Sequence, residues 1–215
     1  MRKSFSLELG KENRIIRGDV YIQEPLGPQP TLILLHGFKG FKDWAFFPTL
    51  ATRLAENGFA VVTFNFSMNG IGEDLENYTE LEKFGRLTYT REQEDLAYVL
   101  KQMKVGTLPF SEYMDLNHIG LFGHSRGGGN SILFALDHHD ITTVVVWNSI
   151  YRVNFFDAKV MEDIAENGVG YITHARTGQQ MPITREIIED IEANQERYDI
   201  LTRLPELTCP LLIVQ

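Results

Sequence analysis

Between Thr31 and Trp147 the chain alternates short continuous apolar runs with amphipathic stretches, and few folds accept that order. TLILL (Thr31–Leu35), FAVVTFNF (Phe59–Phe66), the run His118–Phe122 and TTVVVW (Thr142–Trp147) read as strands buried on both faces. Between them, Pro48–Asn57 carries Leu50, Leu54 and Ala55 at helical spacing and ends in Asn57-Gly58, a helix stop. Thr90–Lys104 places Leu96, Val99, Leu100 and Met103 on one helical face, with Thr90 and Gln93 at capping-box spacing. Arg126–His138 reads as a third helix. Strand–helix–strand repetition implies crossover units and a mostly parallel sheet covered by helices on both faces, hence an α/β fold.

The flanks add to this frame. Ser4–Leu9 and Arg14–Ile22 read as an antiparallel hairpin, and Pro25, Gly27, Pro28 and Pro30 as a loop. Ser67–Arg86 reads as a long polar loop, and PLLIV (Pro210–Val214) as a fifth buried strand. The polar stretch Ile150–Leu207 shows helical segments, Glu186–Arg197 with Ile187, Ile188 and Ile191 among them, and no clear strand. It is too long for a plain loop in a compact domain, so an inserted helical cap is expected. The division is then a core over residues 1–149, a cap or lid over 150–208, and the start of the next core strand at 209–215.

Glycine and serine meet at one place in a way that suggests chemistry. Gly123-His124-Ser125-Arg126-Gly127 is a G-x-S-x-G sequence, followed by Gly128 and Gly129. A serine hydroxyl attacks well when a rigid turn holds it toward a base, and a sharp strand-to-helix turn crowds the backbone on both sides. Glycines two before and two after the serine relieve that crowding. A chance match in a chain of this length is roughly a one-in-ten event, so the context decides. An apolar strand (IGLF) ends just before it and a helix-compatible segment starts just after. A phosphate loop would need G-x-x-x-x-G-K-[ST] and a dinucleotide site G-x-G-x-x-G, and neither occurs here.

A tetrahedral intermediate on Ser125 would need two backbone N–H donors. One is expected from Arg126, the residue after the nucleophile. The other is expected from the loop after the first parallel strand, where His36-Gly37-Phe38 stands; Gly37 lets the chain turn and present the Phe38 N–H. His36 is expected to brace that loop rather than act as a base. Trp44, Phe46 and Phe47, after that loop, read as substrate contacts or, more commonly for such clusters, as core packing, and Cys209 as a buried apolar filler. Gly170–Pro182 reads equally well as an acyl-pocket lining or a surface loop, and a substrate contact by His174 stays open.

HGFKG after the first strand, the strand ending near Asn65, and GHSRGG resemble the α/β-hydrolase superfamily, in its esterase and acyl-hydrolase branch. Cinnamoyl/feruloyl esterases and dienelactone-hydrolase-like proteins are similar in layout. The resemblance covers Ser4–Gln215. It implies backbone donors at Phe38 and Arg126 and a cap between Trp147 and Cys209. Asn65 stands where relatives often carry aspartate, and it is given no catalytic role.

In that family the triad runs Ser, then Asp or Glu, then His, with the acid after the strand that follows the cap. PLLIV resembles that strand, so the acid and the histidine are expected beyond residue 215, and the chain is expected to be a truncated form. Local substitutes fit poorly. Asn148-Ser149 supplies no carboxylate where some relatives place the acid. Asp157 and Asp163 read as surface, and His138 ends its helix roughly 20 Å from Ser125. His124 is placed on the opposite side of the turn.

Composition removes other classes. With a net charge of −9 and acids scattered among bases, no basic face stands ready for nucleic acid. Hydrophobic residues make up 43%, yet no run approaches the ~20 residues of a membrane span. The single cysteine excludes an internal disulfide, and no secretory signal is evident, so a cytoplasmic protein is expected. No cluster has metal-ligand spacing, and no cofactor is implied. The expected function is cleavage of a carboxylic ester or related small acyl compound through an acyl-enzyme. A thioesterase, peptidase or acyltransferase of the same fold, or a non-catalytic binding protein, are the alternatives.

Overall fold

The computed structural model describes residues 1–24, 27–75 and 77–215, and among these described residues there are nine strands and seven α-helices. In chain order these are β1 (Arg2–Glu8), β2 (Ile15–Tyr21), β3 (Gln29–Leu35), α1 (Phe47–Glu56), β4 (Ala60–Asn65), α2 (Leu81–Gly85), α3 (Tyr89–Lys104), β5 (Met114–His124), α4 (Arg126–Asp137) and β6 (Ile141–Trp147). Then come α5 (Ala158–Asn167), β7 (Val169–Thr173), β8 (Gln180–Thr184), α6 (Arg185–Ala193), α7 (Ile200–Arg203) and β9 (Leu211–Val214). Seven strands form one sheet in the order β1-β2-β4-β3-β5-β6-β9. The first three in that order pair antiparallel, and the rest pair parallel. Pro25, within the expected loop, lies outside the described residues.

Side chains on a strand alternate between faces, and the core divides accordingly. Ile33 and Leu35 of β3, with Val62 and Phe64 of β4, face the α3–α4 side; Leu34 and Val61 face α1 through Phe47, Ala51 and Ala55. The expected cover on both faces is therefore present. The chain leaves β3 toward β4 on one side and returns to β5 on the other. The loops after β3 and β5 therefore lie at the switch point of the sheet, the usual ligand position in such folds.

Several sequence expectations need correction. The cap of α3 is Thr88, whose side chain accepts the Arg91 N–H at 3.2 Å, not Thr90. The Thr90 hydroxyl instead bonds Asp190 and, at 2.7 Å, the Tyr198 hydroxyl, partners about a hundred residues away. The Ser67–Arg86 stretch is not simply a loop: it contains α2 and buries Tyr78 and Phe84. The 150–207 stretch holds the β7–β8 hairpin, registered from Val169–Thr184 to Thr173–Gln180. Gly168, with φ 78°, ends α5 and turns the chain into β7. The tight turn after Thr173 is closed by His174 N–H to Gln179 O at 2.8 Å. β9 is open rather than buried: Leu212 and Ile213 are 58% and 59% exposed.

Candidate active site

Ser125 sits between the end of β5 and the first residue of α4 with φ 55° and ψ −118°. A non-glycine residue there costs about 1–3 kcal/mol and persists only when its surroundings hold it. They do. The Ser125 N–H donates to Trp147 O at 3.0 Å, and its carbonyl accepts from Gly128, Gly129 and Ile150 at 3.0, 3.3 and 3.2 Å. The serine backbone is thus tied both to β6 and to the first turn of α4. A Cβ on Gly127 would lie 2.6 Å from His36 O, so only glycine lets α4 start this close to the end of β3.

That closeness sets the second wall of the site. A Cβ on Gly37 would stand 3.0 Å from the Ser125 Cβ, so the loop after β3 runs directly against the serine. Gly40 N–H to Gly37 O, at 3.0 Å, folds the loop into a turn that contains Phe38. Asn65 Oδ1 accepts the Lys42 N–H at 2.7 Å, and the buried Lys42 ammonium meets Asp19 at 2.6 Å. Asn65 is therefore a loop anchor. His36 lies underneath: its Nε2 accepts the Phe66 N–H at 3.4 Å, which leaves the ring proton on Nδ1 to donate to Gly37 O at 3.0 Å. Burial drops its imidazole to about 4, and the charge of Arg126 adds to the effect, so His36 is neutral and engaged at both nitrogens.

Ser125, Phe38 and Arg126 are brought together. Among the described residues neither the Phe38 N–H nor the Arg126 N–H donates a hydrogen bond. The Arg126 guanidinium lies 5.7 Å from the centre of the Phe38 ring and 3.7 Å from that of Tyr89. Arg126 is 1% exposed; burial opposes its charge, but the Glu92 carboxylate beside it more than compensates and raises its pKa. Around Phe38 stand Phe84, Phe155 and Phe156, with ring centres 5.3, 5.4 and 6.0 Å away.

Other candidates fall elsewhere. His124 is half-buried against Trp44, Phe46 and Phe47, on the α1 side. His138 stacks on Phe134 at 3.9 Å, at the other end of α4. Asp157 caps α5, and Asp163 pairs with Lys159 at 3.7 Å. His174 is buried at the β7–β8 turn, 5.1 Å from the Tyr78 ring, with Nδ1 accepting the Thr177 N–H. Lys39 reaches the same hairpin through Thr173 O at 3.2 Å. Among the described residues no imidazole or carboxylate bonds the Ser125 hydroxyl, and none form a group able to hold a metal. No helix among them is long and apolar enough to cross a membrane.

Glu92 and the aromatic cluster went unnoticed in the sequence. A signal for Glu92 existed: it precedes Leu96, Val99 and Met103 at helical spacing, so it is an acid on the buried face of α3.

A strand, a tight bend carrying a serine at positive φ, and a helix, beside a loop from the neighbouring strand, are the marks of one family. A sequence model of the α/β hydrolase fold matches residues 30–167. The chain is an α/β hydrolase-fold protein. No curated protein matches it in sequence. Among solved structures it is similar to DcsB in complex with a substrate analogue, at 16% identity and TM-score 0.70, over 99% of this chain and 80% of that one. It is also similar to the α/β hydrolase GrgF from Penicillium sp. sh18, at 16% identity and TM-score 0.68, over 99% and 79% of the two chains. Est1E from Butyrivibrio proteoclasticus, with ferulic acid bound, aligns at 17% identity and TM-score 0.66, over 97% of this α/β hydrolase and 78% of Est1E.

Proposed function

We propose that this chain is a serine hydrolase that cleaves a carboxylic ester or related small acyl compound. The observation that carries the reading is the Ser125 bend, with φ 55°, flanked by the unengaged Phe38 and Arg126 amides. In the mechanism a base takes the Ser125 proton as Oγ attacks the acyl carbon. The carbonyl oxygen becomes an oxyanion held by the two N–H groups. Collapse expels the alcohol, which takes the proton from the base, and leaves an acyl-serine. Water, deprotonated by the same base, then frees the acid and restores Ser125.

The base and its acid partner are assigned to residues outside 1–215. Two facts favour this assignment: no described imidazole or carboxylate bonds Ser125, and β9 leaves Leu212 and Ile213 open where further structure can pack. The 150–208 segment serves as the cap over the Ser125 bend, with Phe155 and Phe156 packed on Phe38. The test is hydrolysis of p-nitrophenyl esters of graded acyl length by the longest protein its reading frame encodes, with Ser125→Ala as control. Loss of at least about a thousandfold in Ser125→Ala is expected. Hydrolysis that survives this substitution overturns the reading, and a protein that neither hydrolyses esters nor reacts with a fluorophosphonate is a binding protein on this fold.

A further inference from the structure

We propose that Glu92 is a positioning residue for the oxyanion-binding amides, acting through the side chain of Arg126; this rests on the reading of Ser125 as nucleophile. Glu92 is 2% exposed and carries its carboxylate from α3 to the start of α4. One oxygen, Oε2, accepts Arg126 Nε–H at 2.8 Å and Asn130 Nδ2–H at 3.0 Å. Those donors are four residues apart, so they share one face of α4, and a single acceptor gripping both fixes the helix against rotation. The neighbouring Gln93 adds a second hold, donating to Asn130 Oδ1 at 2.8 Å and to its carbonyl at 3.2 Å. The residue so clamped is the first of α4, and its N–H is one of the two donors.

The same guanidinium reaches the other donor's residue. It lies on the Tyr89 face at 3.7 Å and within 5.7 Å of the Phe38 ring, with Nη1 lacking any hydrogen-bond partner among the described residues. Tyr89 in turn donates its hydroxyl to Val153 O, in the insertion, at 3.1 Å. A buried cation that contacts both Tyr89 and Phe38 couples the bend after β5 to the loop after β3. Without its carboxylate the buried cation loses its nearest counter-charge and keeps only the more remote Asp190, so it is driven toward water. The first turn of α4 moves with it.

The experiment compares the parent protein with Glu92→Gln, which keeps the shape and removes the charge. Amide hydrogen exchange over Arg126–Gly129 is expected to quicken at least about tenfold, while that of β4 stays at the parental rate. In ester hydrolysis kcat is expected to fall about 10- to 100-fold with KM unchanged, as a donor out of line weakens the transition state alone. If Glu92→Gln fails to fold, the double replacement Glu92→Met with Arg126→Met removes both charges and is read in the same way. Parental exchange at Arg126–Gly129 in either folded variant overturns the proposal, as does an unchanged kcat where hydrolysis depends on Ser125. Should hydrolysis not depend on Ser125, the hydrolase reading falls, and the exchange data alone decide whether Glu92 positions this turn.

Discussion

The crest of the sheet at β2–β4–β3–β5 and its margin at β6–β9 are built differently. At the crest, charge is buried and answered. Arg14 and Asp95 meet at 2.7 Å with both side chains fully buried, and Asp95 also accepts the Ser67 N–H and hydroxyl at 2.7 and 2.9 Å. At the margin, apolar side chains stand in the open, Leu212 and Ile213 above half exposure on a strand with one neighbour. The crest holds a strained serine because that residue's own N–H and carbonyl are bonded to Trp147, Gly128, Gly129 and Ile150. Within residues 1–215 the margin makes fewer buried polar contacts, and its open face is the place the proposed further structure would cover.

The sharpest way to break this contrast is Asp95→Ala. It leaves Arg14 buried with one fewer counter-charge and the Ser67 amide unanswered, and is expected to destabilise by about 3–5 kcal/mol in urea unfolding. A loss near zero would mean that the crest is no more committed than the edge.

Acid should expose the crest next. Folded His36 gains its proton only near pH 4, whereas the unfolded chain takes it up near 6.5. Between those values the unfolded state binds more protons, so stability falls as pH falls. The full effect is roughly 3 kcal/mol and is reached by about pH 4. His36→Gln should flatten that slope between pH 6.5 and 4, and an unchanged slope would place the titration elsewhere.

Gly127→Ala sets a methyl against the His36 carbonyl and is expected to cost about 1–3 kcal/mol and to disturb the Ser125 bend. Differential scanning calorimetry beside fluorophosphonate labelling reads both effects. The smallest change is expected at the margin: in residues 1–215 alone Ile213→Thr should shift stability by less than about 0.5 kcal/mol, and by about 1–3 kcal/mol in the longest protein the reading frame encodes, where further structure covers β9. Equal shifts in the two, read by urea unfolding, would show that nothing packs on this strand.

At β9 the strand itself was legible but its cover was not. PLLIV and TLILL are both four apolar residues after a Pro or a Thr, and a continuous apolar run carries no record of how many neighbours will cover it. The β7–β8 hairpin was hidden for a related reason: its strands are only five residues each, and the residues they bury are few, Gly170, Met181 and Ile183. Thr90 and Gln93 had the spacing of a cap yet serve Asp190 and Asn130 instead. A hydroxyl or amide takes whichever partner tertiary packing delivers.

Local order alone determined the strand–helix alternation, the glycine-flanked serine bend after β5 and the turn after β3, because periodicity and glycine act over a few residues. Only the tertiary structure decided that the Arg126 guanidinium lies beside the Phe38 ring, that Glu92 answers Arg126 across 34 residues of sequence, and that Thr90 reaches Asp190. These are pairings between distant segments, and their energy comes from burial, which no local pattern encodes.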